Sequence, residues 1–259
     1  MTSGTLDLAR IPAGEFLMGA ADGRDDERPV HRVFVDEFFI GRFPVTHDEF
    51  ARFIRSTGRR APAVRDVPLV ASGERDAEFR DIAAAYSWVD AEPPAGLGAH
   101  PVVLVTREDA LDYCAWLSAR VGRRVRLPTE AEWERAARGG ADGRRYPWGD
   151  DIGAGRCHFL IDSTLKRHRG TRPTGTLAPN GFGLYDMVGN VWEWVSDWYG
   201  ADYYAASALR NPPGPAAGTL RVVRGGAWVT DDPEMLRCSY RHAVPPDTYA
   251  YRIGFRVAC

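Results

Sequence analysis

The chain lacks an excess of either charge: 33 Lys and Arg face 35 Asp and Glu, a formal net charge of -2. Phosphate neutralisation needs a basic surplus or a basic stripe, so nucleic-acid binding is excluded as the basis of function. No run of about 18 consecutive apolar residues occurs, which excludes a membrane-spanning helix. The opening residues carry no basic segment followed by an apolar one, so no secretory signal is expected and a cytoplasmic location follows. Cysteine is scarce as well. Cys114, Cys157, Cys238 and Cys259 lie far apart and form no CxxC pair. Metal-thiolate and redox-dithiol sites usually depend on close spacing, so these four are expected as reduced thiols packed like small apolar groups.

What is abundant is glycine and proline, 27 and 18 of 259 residues, together with 8 tryptophans. That mixture predicts a loop-rich fold whose irregular backbone is pinned by buried aromatic rings. Short strands are expected at residues 11–19, 30–35 and 37–40, where β-branched and aromatic residues alternate between Gly and Pro. Three helix starts carry a capping box, a hydroxyl and a carboxylate satisfying backbone N–H groups reciprocally: Thr46 with Glu49, Thr106 with Asp109, and Thr129 with Glu132. Each leads into apolar residues at helical spacing, such as Ala110, Tyr113, Cys114 and Leu117. Residues 60–98 are rich in Pro, Ala and charge and read as an insertion or surface excursion, with one short helix near residues 78–85. From about residue 140 to 220 no regular pattern holds, and a long irregular segment of this kind needs an ion or ligand to fix it. Strands return at residues 220–223 and 253–257. Strands at both ends with helices between predict a single α+β domain spanning residues 1–259.

Several phrases then occur in order: residues 11–19 (IPAGEFLMG), 41–46 (GRFPVT), 126–134 (RLPTEAEWE), 146–150 (YPWGD), 180–194 (NGFGLYDMVGNVWEW), 224–228 (RGGAW) and 253–258 (IGFRVA). In these the chain resembles the formylglycine-generating enzyme, or sulfatase-modifying factor, family. The resemblance implies a formylglycine-generating-enzyme-like fold, related to C-type lectin domains and poor in regular secondary structure. It also implies a copper oxidase chemistry that uses two cysteines soon after the RGG phrase. Paired thiolates suit soft Cu(I). Here those positions read Thr230 and Met235, and the adjacent serine position reads Ala227. Cys238 matches a non-catalytic position. Formylglycine generation by the parent route is therefore not expected.

The related sulfoxide synthases hold iron on histidines of an additional helical domain that this sequence lacks. His31, His47, His100, His158, His168 and His242 show neither HxxxH nor HxH spacing. An iron or copper ion is thus a redox cofactor with no ligand set behind it. Calcium is better placed. Asp186 and Glu193 by side chain, with Gly189 and Val191 by carbonyl, give the hard oxygen donors that calcium prefers at a turn. The resemblance implies a structural Ca2+ there, whereas a second family site is doubtful because His158 stands at its Asn position. Trp192, Trp228, Arg237, Arg241 and His242 come from segments that form the family's substrate groove. Arginine beside tryptophan offers a planar surface and a fork of donors for carboxylate or peptide. Trp194 and Arg256 read as core and salt-bridge groups, and Arg107 stands where the family carries Trp. Two functions fit. One is an oxidoreductase-type modification of a small molecule or peptide by altered chemistry. The other is a non-catalytic recognition, accessory or immunity-type module that binds a ligand or protein partner.

Overall fold

Short apolar runs broken by Pro and Gly cannot build long strands, and near the N-terminus they fold into two antiparallel ribbons. β1 (Leu8–Ile11) pairs with β4 (Phe38–Gly41), and β2 (Gly14–Met18) pairs with β3 (His31–Val35). The single strand expected over residues 11–19 is divided: β1 ends at Ile11, just before Pro12, which has no N–H to continue the ladder. This computed structural model describes residues 6–64, 76–153, 155–160 and 170–259.

The capping boxes behave as local chemistry dictates. Thr46, Thr106 and Thr129 each accept from the backbone N–H three residues on, and Glu49, Asp109 and Glu132 return the bond. They open α1 (His47–Thr57), α3 (Arg107–Val121) and α4 (Glu130–Arg138), which end on Gly58, Gly122 and Gly139 in the left-handed conformation. α1 and α3 meet through rings, with Phe50 stacked on Tyr113 at 5.6 Å and Phe53 edge-on to the same ring at 5.7 Å.

The principal sheet has the order β7 (His242–Val244), β6 (Arg221–Arg224), β5 (Trp192–Trp198), β8 (Ile253–Phe255). β5 runs parallel to β8 and antiparallel to β6. Two expectations are corrected here. Residues 140–220 are not irregular throughout, because they contain β5, a central strand. Most of β5 is buried, Trp192 to Val195 without interruption, so its sequence shows no polar alternation to reveal it. Nor do the described residues of 60–98 all lie on the surface. They supply α2 (Asp76–Ala84), and Phe79, Ala83, Tyr86 and Trp88 are buried in the main core.

Beneath α4 the core is ionic. Arg224 of β6 donates to Glu130 at 3.1 Å and to Glu134 at 2.6 Å, and Arg138 also holds Glu134 at 2.6 Å. Both Arg224 and Glu134 are fully buried. Charges this far from water persist only when every one is paired and hydrogen-bonded, so the network pins α4 to the sheet in one register. No described helix is long and apolar enough to cross a membrane.

Candidate functional site

The β5–β6 edge and the segments after β6 bring a set of aromatic rings together. Trp192 begins β5, and its ring lies 5.0 Å from His242 of β7 and 6.0 Å from Tyr240. Trp228 follows β6 and packs at 5.8 Å against Tyr251, which also meets Phe79 of α2 at 5.4 Å. Phe79 reaches Tyr249 as well, at 6.0 Å. α2 therefore packs against this aromatic assembly. The indole Nε1–H of Trp228 is buried and has no acceptor among the described residues. An unpaired buried donor is costly. His242 is half-buried, and burial, with Arg252 and Arg24 nearby, lowers its pKa to about 4. It is neutral at pH 7 and available as a hydrogen-bonding group rather than a cation.

The five residues expected in the groove separate into two kinds. Trp192, Trp228 and His242 take part in the aromatic assembly. Arg237 and Arg241 are buried in ion pairs. Arg241 grips Glu130 bidentately at 2.8 and 2.9 Å and donates to the carbonyl of Asp26 at 2.8 Å. Arg237 donates to Glu27 at 2.6 Å and to the carbonyl of Glu234 at 3.1 Å. A buried guanidinium is drawn to the nearest buried carboxylate, and both partners lie more than a hundred positions away in sequence. Phe79, Tyr240, Tyr249 and Tyr251 were not expected in the groove. Tyr249 and Tyr251, two tyrosines close together just before the last strand, were the available signal.

Of the two residues that the resemblance sets at the copper-cysteine positions, Thr230 is buried and its hydroxyl accepts from the Ala227 N–H at 3.0 Å, while Met235 is partly buried. Cys238 is fully buried, and burial pushes its thiol up to about 12, so it stays protonated. The groups that act on it electrostatically are Arg138, Glu134 and Arg224. All four cysteines are free.

At the expected calcium loop the backbone curls through left-handed residues, with φ of 53° at Asp186, 80° at Gly189 and 62° at Asn190. Only glycine fits at 189, where a Cβ would lie 2.6 Å from the His158 carbonyl oxygen. Asp186 accepts from the Gly175 N–H at 2.7 Å. Burial, and secondarily the charge of Glu193, raises its carboxyl above the usual carboxylate range, while Arg256 opposes the shift. Glu193 accepts from Arg256 at both oxygens, at 2.7 Å each, and from Trp133 Nε1 at 2.7 Å. The guanidinium is bonded to Glu193 and acts on Asp186 only through its charge, and two carboxylates of this kind are hard oxygen donors of the type a divalent cation prefers. Among the described residues no three His, Cys, Asp or Glu side chains cluster to hold a metal, so carbonyls such as those of Gly189 and Val191 would have to complete such a site. His168 lies outside the described residues.

Compared with known proteins, the chain matches the sulfatase-modifying factor enzyme 1-like domain over residues 4–259. It is 38% identical to the formylglycine-generating enzyme of Streptomyces coelicolor, across 98% of this chain and 89% of that protein. It is 35% identical to the inactive C-alpha-formylglycine-generating enzyme 2 of Bos taurus, across 98% of this chain and 88% of the relative. Among solved structures, PvdO from Pseudomonas aeruginosa superposes with a TM-score of 0.78 at 32% identity, covering 97% of this chain and 93% of PvdO.

Proposed function

The chain belongs to the sulfatase-modifying factor enzyme 1-like domain family, and on that premise we propose that it is a ligand-recognising member that does not generate formylglycine through a copper-thiolate centre. One observation carries this reading. The two thiolate positions hold Thr230 and Met235, and the nearby Cys238 is a buried, protonated thiol among charged partners. The ligand is a small molecule or a short peptide. Trp228, Trp192, Tyr251 and His242 give it flat apolar surface, and the unpaired Trp228 N–H asks for a carbonyl or carboxylate oxygen. Arg237 and Arg241 act as the frame that holds this surface. Titration of tryptophan fluorescence with free cysteine and with a cysteine-containing tripeptide tests the reading. Saturable binding is expected, weakened by about tenfold in Trp228→Phe, which keeps a ring and loses the donor. Equal binding by that variant would refute it.

A second reading is an oxidoreductase-type modification of the same ligand with iron or copper, favoured by the 38% identity to a formylglycine-generating enzyme. Ligand-dependent oxygen consumption would single it out. Calcium is proposed as a structural ion at Asp186 and Glu193, with the carbonyls of Gly189 and Val191. Calcium should raise the melting temperature above that of EDTA-treated protein, and Asp186→Asn should abolish the gain. Identical melting with and without calcium would contradict the proposal.

A further inference from the structure

Pairing between β5 and β6 is broken where Trp194 faces Val223 but Trp198 faces Arg221, so four residues of β5 span two of β6. Such a bulge releases backbone groups from the ladder and re-aims side chains. Two arginines converge on the carbonyl of Ser196 within this bulge. Arg107, the first residue of α3, donates to it through Nη2 at 3.1 Å, and Arg221, the first residue of β6, through Nη1 at 2.8 Å. Two guanidinium groups that share one acceptor atom are near neighbours, and like charges held so close repel. Arg221 is further fixed by lying flat on the Trp198 ring, 3.2 Å from its centroid. Among the described residues neither arginine makes an ion pair, and the Nε–H of each is buried without an acceptor. The neighbouring acids do not resolve this. Glu108 is exposed, and Asp197 already accepts from the Ser196 hydroxyl at 2.8 Å and the Glu130 N–H at 2.9 Å through one oxygen.

We propose that Arg107 and Arg221 form a binding site for a small oxyanion, a phosphate or carboxylate group of a soluble ligand, at the bulge of β5. The site lies at the opposite end of that strand from Trp192 and does not depend on the groove. Several donors of each planar fork remain unused, and a planar or tetrahedral oxyanion between the two would satisfy them while cancelling their repulsion. The electrostatics agree. Burial lowers the pKa of Arg107, and burial together with Arg107 itself lowers that of Arg221 to about 10. Bound anion would relieve both. The amino end of α3, 15 residues long, adds its partial positive charge on the same side.

Calorimetric titration of the full chain with inorganic phosphate and, separately, with acetate, against chloride at matched ionic strength, tests the proposal. Saturable binding of at least one anion is expected, weakened by at least about tenfold in the Arg107→Gln, Arg221→Gln double variant. Binding of phosphate alone assigns a phosphorylated ligand, and binding of acetate alone assigns a carboxylate. Melting without anion separates a ligand site from a structural staple. The double variant should melt no lower than the parent if the pair is held for a ligand, and lower if the arginines merely lock the bulge. Should the double variant fail to fold, Arg107→Gln alone is read in the same titration. No saturable binding by the parent chain, or undiminished binding by the folded variant, overturns the proposal.

Discussion

Arg241 changed meaning between sequence and structure: an arginine beside tryptophans in a groove-forming segment suggests ligand recognition, yet its guanidinium is consumed by Glu130. Nothing local could reveal that pairing, since 111 positions separate the partners. Removing one member leaves a buried charge alone. Arg241→Met is therefore expected to destabilise by about 3–5 kcal/mol in urea unfolding. A loss below about 1 kcal/mol would show that the network is dispensable. Asp197 provides a second test. Burial, with the charge of Glu130 next, raises its carboxyl from 3.8 to about 7. The folded state thus binds a proton more tightly than the unfolded chain, and this residue's cost to stability is absent well below pH 4 and grows as pH rises towards 7. Asp197→Asn should gain stability relative to the parent between those limits and hold the gain above them. A stability difference that does not vary with pH would contradict the shift.

Elements were legible where their chemistry is local. Thr129 and Glu132 lie three residues apart, so the start of α4 can be read from four letters, and the same holds for α1 and α3. Replacing Thr129 by Ala should cost about 1 kcal/mol, measured by thermal or chemical unfolding. No loss would mean that the tertiary ionic network alone defines that helix end. β5 was not legible. Its burial removes the alternation that marks a half-exposed strand, and its first residues read equally well as the end of an ion-binding turn. α2 was visible as a short helix, but its role was not, because Phe79 acquires meaning only when Tyr249 and Tyr251 arrive from the far end of the chain.

At the scale of the whole molecule, phrases spread from residue 11 to residue 258 were enough to place the chain in its family, and the family match over residues 4–259 agrees. Function was less readable for a physical reason. A fold is fixed by many distributed contacts, whereas the oxidase reaction depends on two sulfur atoms, and both can be lost with the scaffold intact. On the proposed reading, Thr230 and Met235 stand where the resemblance implies the two thiolates, and the one cysteine nearby, Cys238, is a buried, protonated thiol.

The most direct measurement incubates the purified chain with Cu(I), oxygen and a cysteine-containing peptide, and follows conversion of the cysteine thiol to an aldehyde by mass spectrometry. No aldehyde is expected, with peptide binding intact. Copper-dependent aldehyde formation in multiple turnovers would contradict the account.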